Sequence, residues 1–184
     1  STGTIFVVGD TTVDEIKTLL DSTIGRWADT RMAVPRKNIA DVSRPESARV
    51  IIVDRPGSPQ SYIIAGHVVP PPSADNDLAI DMMNDVLGGT FTARINMNLR
   101  EDKGWAYFAR TFAITARGQR PWIILAPVQT DRTGDSLSEI VNEIEAFQSD
   151  RPATDAELER NVLNNTRALP GRFETADAVL GSMA

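Results

Sequence analysis

The sequence predicts an α+β fold, a largely antiparallel mixed β-sheet with helices packed on one face. Three observations carry this. Val- and Ile-rich runs of strand length are interspersed with amphipathic segments of helical period. Strand-like runs follow one another with only a turn between them, which disfavours a doubly wound parallel sheet. Several helical segments open on recognisable caps. The predicted order is β-α-loop-β-β-α-α-β-β-α-α-α, with no internal repeat.

The elements follow in order. Thr4 to Val8 is expected as a buried strand ended by Gly9-Asp10-Thr11-Thr12. Thr12 and Glu15 then form a capping box for a helix carrying Ile16, Leu19, Leu20 and Ile24. Gly25 stops this helix, and Trp27 is expected to pack back onto the core. Residues 29–47 are rich in Arg, Pro, Asp and Ser without a period, and read as a surface loop or linker. Arg49–Asp54 is expected as a second strand, turned by Arg55-Pro56-Gly57. Gln60–Val69 is a third, with Tyr62, Ile64 and Val68 on one face, and Pro70-Pro71-Pro72 ends it.

A helix is predicted over Ser73–Leu87, capped by Ser73 or Asp75, with Leu78, Met82 and Val86 in its apolar stripe. Gly88-Gly89 closes it, and another helix runs from about Thr90 to Asp102, broken by Gly104. Tyr107–Ala116 and Trp122–Gln129 read as strands joined by a hairpin-like turn at Arg117–Pro121. Asp135 or Ser136 opens a helix with Leu137, Ile140, Val141, Ile144 and Phe147. Thr154 and Glu157 form a second capping box, ahead of Leu158, Val162, Leu163 and Leu169. Pro170-Gly171 interrupts, and Phe173–Met183 is a short last helix.

At 184 residues, the chain suits a single domain over 1–184. It begins almost inside a strand, so it is expected to be a fragment of something longer. Its net charge of −6 disfavours nucleic acid and anionic membrane as partners. The absence of cysteine excludes disulfides, thiolate metal sites and a cysteine nucleophile. No apolar run is long enough to span a bilayer.

Chemistry-bearing patterns are sparse. A catalytic zinc needs three protein ligands and an open position, and the sequence has one histidine, His67, with neither His-Glu-x-x-His nor His-x-x-Glu-His. His67 reads as an ordinary strand-end residue, with an acid-base role in a small-molecule enzyme as the remote alternative. There is no Gly-x-Ser-x-Gly elbow and no P-loop. Asn164-Asn165-Thr166 matches a glycosylation acceptor but lies within a predicted helix. The pairs Glu143/Glu145 and Glu157/Glu159 read as solvated helix faces.

The informative stretch runs from Leu87-Gly88-Gly89-Thr90-Phe91 through Ala93-Arg94 to Leu99-Arg100-Glu101, then Gly104-Trp105-Ala106-Tyr107. It resembles the signature of the pitrilysin/insulinase-type zinc peptidases, which include the mitochondrial processing peptidases. Weaker matches fall in the right order on either side: Thr4–Asp10, Gly25-Arg26-Trp27 and Thr154–Arg160. Trp105 departs from the pattern, standing where a smaller apolar residue is usual, which implies a bulkier wall beside Tyr107.

The resemblance implies the metallopeptidase-half fold and a C-terminal, non-catalytic domain. In such enzymes one half holds zinc and the water that attacks the peptide. The other half supplies an arginine and a tyrosine seven residues apart that bind the substrate backbone. Arg100 and Tyr107 have that spacing. The implied function is the substrate-binding half of a zinc-dependent endopeptidase, inactive alone and without a cofactor of its own. Its implied partners are a peptide substrate and a zinc-bearing half, in the same polypeptide or a separate subunit. A structural or assembly module of the same fold is the alternative. The implied location is the bacterial periplasm or a membrane surface.

Overall fold

The computed structural model describes residues 4–25, 38–73 and 75–183. The expected packing of Trp27 and the 29–37 part of the expected surface segment lie outside these. The chain divides into two compact units, Ile39–Val162 and a second made of Ser1–Asn38 with Leu163–Ala184.

In the second unit, α1 (Val13–Thr23) starts as its sequence predicts. Thr12 Oγ1 accepts from the Glu15 backbone N–H at 3.3 Å, and the Glu15 carboxylate accepts from the Thr12 N–H at 2.9 Å. This reciprocal cap satisfies two of the donors that a helix start leaves unpaired. It also lowers the carboxyl pKa of Glu15, chiefly through the Thr12 backbone bond. Further along this unit are a 3₁₀ turn, Pro170–Phe173, and a last helix, Ala176–Met183, which starts three residues later than expected.

The larger unit is built on a three-stranded antiparallel sheet, matching the α+β expectation. Its strands are β1 (Gln60–Val69), β2 (Arg110–Ala113) and β3 (Arg120–Gln129), in the order β1-β3-β2. β1 pairs with β3 along its whole length, from Gln60 opposite Gln129 to Val69 opposite Arg120. Alternation then puts Ile63, Ala65 and Val69 on the same face as Trp122, Ile124, Ala126 and Val128. Leu87, Ile95, Leu99, Ala109 and Ile140 complete this core. Each fully buried aliphatic side chain here contributes about 1.5–3 kcal/mol relative to exposure. Tyr62 and Ile64 share the opposite face of β1, as predicted, and are exposed.

Two helices cover the buried face: α2 (Asp77–Asn84), and α4 (Thr133–Gln148), which follows a 3₁₀ turn at Thr130–Arg132. α2 continues into a π-helical turn, Asp85–Gly89. The short α3 (Arg94–Asn96) likewise continues into a π-helical segment, Met97–Asp102. α5 runs from Asp155 to Ala168, and Thr154 and Glu157 make the predicted capping box at its start.

Several expectations are corrected. Thr4–Val8 and Arg49–Asp54 form no strand, and Val50, Ile51, Ile52 and Val53 are exposed. Their composition suits a sheet, but neither run forms a ladder, and strand structure requires one. The strand expected over Tyr107–Ala116 shrinks to Arg110–Ala113, the four residues that pair with β3. The cap of α2 is Asn76 rather than Ser73 or Asp75, and it makes no side-chain capping bond. Leu78, Leu137 and Val141, expected in apolar stripes, are exposed, while Ser136 and Glu143 are buried; Val86 is buried as expected. The inward stripe of α4 is therefore buried Ser136, Ile140 and Glu143, with half-buried Ile144 and Phe147 beside them.

Candidate functional site

The Gly-Gly to Tyr stretch is held between the sheet and α2, and each of its landmarks has a local cause. At the end of α2, Asn84 Oδ1 accepts from Thr111 Oγ1 at 2.7 Å and from Trp122 Nε1 at 2.9 Å. This fixes the helix end to β2 and β3. The following turn then passes so close to β2 that a Cβ on Gly88 would meet Thr111 Cγ2 at 2.6 Å. A Cβ on Gly89 would strike the Asn84 amide. The pair is glycine because no side chain fits.

Asn96 ties the next two pieces together. It is only 3% exposed. Its Nδ2 donates to the Phe91 carbonyl at 2.7 Å, and its Oδ1 accepts from the Ala109 N–H at 2.9 Å. One amide therefore pins the loop before α3 and the approach to β2. After the π-helical segment the chain reverses at Gly104, whose φ of +66° favours glycine. The Leu99 carbonyl accepts from the Trp105 and Ala106 N–H groups at 2.9 and 3.2 Å. Ala106 then bridges to Val128 on β3, and the Gln129 N–H donates to the Trp105 carbonyl at 2.9 Å.

These bonds bring Arg100 and Tyr107 together. The Arg100 guanidinium carbon lies 5.6 Å from the Tyr107 ring centroid. Its Nε is 3.4 Å from Glu101 Oε1, its one polar contact among the described residues. The Arg100 side chain is 30% exposed and Tyr107 is 77% exposed. Tyr107 stands three residues ahead of β2 rather than at a strand start. A third side chain joins them: Phe91, 62% exposed, has its ring centroid 4.4 Å from the guanidinium. Sequence reasoning assigned Phe91 no role. The sequence reads it as part of the expected helix from Thr90 and offers no signal for this contact. The Trp105 indole packs against the core and lies 5.4 Å from Lys103 Nζ and 5.7 Å from the Arg132 guanidinium.

Behind the site, Arg94 acts as a brace. It makes a two-pronged pair with Glu157, Nε to Oε1 and Nη2 to Oε2, both at 2.7 Å. It also donates to the carbonyls of Arg151 and Pro152, in the turn between α4 and α5. The Arg94 bonds lead the causes that hold the Glu157 carboxyl at about 2, with the Thr154 bonds adding to them against the effect of burial. Beside this pair, Asn98 Nδ2 donates to Glu139 at 2.9 Å and to Glu143 at 3.0 Å. Lys103 and Arg151 supply the counter-charges to these two carboxylates. The Asn98 bond, then Lys103, lowers the pKa of Glu139. Glu143 and Glu157 are thus members of packed polar networks, which corrects their reading as solvated faces. A concavity of about 730 Å³ lies over this charged cluster, lined by Arg94, Glu143, Arg151 and Glu157 among others, and neither Arg100 nor Tyr107 lines it.

His67 is exposed on β1, with its ring 5.9 Å from that of Trp122 and Nδ1 3.0 Å from the Val68 carbonyl. This removes the small-molecule enzyme built on His67. Among the described residues no three His, Asp or Glu side chains converge as a metal site.

Known proteins bear on the family and the fold. A model of the peptidase M16 inactive domain family matches residues 3–164. No curated protein matches the chain. Solved structures do. A protease from Helicobacter pylori superposes with a TM-score of 0.83 at 18% identity, over 95% of this chain and 42% of that one. The peptidase M16 inactive domain from Pseudomonas fluorescens gives 0.58 at 19% identity, over 68% of this chain and 29% of that one. The periplasmic protease PqqL from Escherichia coli gives 0.65 at 16% identity, over 94% of this chain and 19% of that one. These likenesses establish the fold, and the chain spans less than half of each of these proteins.

Proposed function

The chain belongs to the peptidase M16 inactive domain family, and from that premise we propose that it is the non-catalytic, substrate-binding half of a zinc-dependent endopeptidase. Arg100 and Tyr107 hold the substrate backbone opposite a zinc-bearing half. The observation that carries this is the half-buried Arg100 guanidinium held beside the exposed Tyr107 ring. The Nη groups of Arg100 have no hydrogen bond among the described residues. Guanidinium and phenol both donate, so both suit the carbonyl oxygens of an extended peptide. The staples at Asn96 and Leu99 support preorganisation of the pair, and donors fixed before the substrate arrives waste little binding energy on ordering.

Zinc does not fit the described residues of this chain. The single histidine is exposed on β1 and no ligand cluster accompanies it. The metal belongs to the partner half, in the same polypeptide or a second subunit. The periplasm or a membrane surface is the proposed location. Among the described residues no helix is long and apolar enough to cross a membrane.

Reconstitution tests the reading. The chain alone should cleave no peptide. A zinc-bearing half, identified by His-x-x-Glu-His in the same or an adjacent gene, should become active on adding it. If no such half exists, or if it cleaves equally well alone, the fold serves as an assembly module instead.

A further inference from the structure

We propose that Phe91 is a positioning residue of this site: its ring holds the Arg100 guanidinium in the orientation that receives the peptide. The inference rests on the substrate-binding reading above. A long arginine side chain on a surface samples many rotamers, and fixing it costs entropy on binding. Here the guanidinium lies over Phe91 at 4.4 Å and beside Tyr107 at 5.6 Å. The Glu101 contact, at 3.4 Å with an exposed carboxylate, is too loose to fix it. A ring occupies one face of a guanidinium and leaves the in-plane N–H donors unused. The ring contact therefore orients Arg100 without consuming, as hydrogen-bond partners, the donors that a peptide carbonyl needs.

Phe91 is itself anchored. Its carbonyl accepts from the buried Asn96 amide, which also holds Ala109 at the approach to β2. Its side chain is 62% exposed, although burial is the usual reason for a phenylalanine. The Arg100 contact supplies a reason for an aromatic side chain at this exposed position. The same exposure means that the ring can be replaced without emptying the core.

The test uses Phe91→Leu and Phe91→Trp. In the chain alone, the ring current of Phe91 should displace the Arg100 Nε–Hε resonance. Phe91→Leu should remove that displacement, and Phe91→Trp should retain it. In the assembled enzyme, with a quenched fluorogenic nonapeptide selected by cleavage from a random library, Phe91→Leu should raise KM about two- to fivefold. Its kcat should stay within about twofold, because the loss is of uniform binding. Phe91→Trp should restore KM, and Phe91→Leu should add nothing in an Arg100→Ala background. An unchanged Arg100 resonance, or an unchanged KM in a variant set where Arg100→Ala is impaired, overturns the role of Phe91 alone. An Arg100→Ala enzyme with normal KM and kcat overturns the substrate-binding reading and this inference with it.

Discussion

Replacing Glu157 with glutamine should cost about 2–3 kcal/mol at neutral pH, and the cost should vanish in acid. The carboxylate makes two bonds of 2.7 Å to Arg94, and the two side chains are 14% and 17% exposed, so water screens the pair weakly. Its pKa falls from an ordinary 4.5 to about 2. A shift of that size corresponds to about 3 kcal/mol of stability, trimmed by solvent at the rim. Because the folded-state pKa is the lower one, this stability is fully present above pH 4.5 and is lost as pH falls from 4.5 through 2. Glutamine keeps the shape and can still accept from Thr154, so α5 keeps its cap. It cannot match the charge of Arg94, which stays mostly buried with two carbonyl partners. Urea unfolding of both proteins at intervals from pH 7 to pH 2 measures the difference. Other carboxylates, Glu139 among them, titrate in both proteins and cancel. A gap that opens by less than about 1 kcal/mol at pH 7, or that persists undiminished at pH 2, refutes this account of the brace.

Two further substitutions probe the frame around the site. Asn96→Ala leaves the Ala109 N–H unpaired in the core and should destabilise the fold by about 2–4 kcal/mol, as read by urea unfolding. Gly88→Ala places a methyl 2.6 Å from Thr111 Cγ2 and should lower stability by about 1–3 kcal/mol, partly recovered by adding Thr111→Ala, as read by thermal melting.

What the sequence made legible depended on how local each cause was. The two capping boxes are local, and both stand as read. β1 is legible to the residue because its Val/Ile content ends at Pro70 and its alternation is clear. β3 begins two residues earlier than expected, at Arg120, a buried guanidinium paired with Asp77 that no apolar pattern announces. Thr4–Val8 and Arg49–Asp54 have the composition of strands, but a strand needs a partner, and pairing is not a property of the run. The two π-helical turns around Gly88 and Arg100 are invisible to a 3.6-residue period. Glu143 and Glu157 looked like solvent-facing charges because Asn98 and Arg94, which bind them, are far away in sequence, and Arg151 meets Glu143 only across the turn after α4. For the candidate site, the Arg100/Tyr107 spacing came from the Gly-Gly to Tyr motif. Asn96 could be assigned only from its bond to Ala109, made after the chain reverses at Gly104, and Phe91 only from its ring contact with Arg100.

The most direct test of the central claim is the steady-state kinetics of Arg100→Ala and Tyr107→Phe in the assembled enzyme. The same quenched nonapeptide serves as substrate, with folding checked by circular dichroism. The account predicts a fall in kcat/KM of about 100-fold for Arg100→Ala and about tenfold for Tyr107→Phe. Values within about twofold of wild type for both folded variants would contradict it.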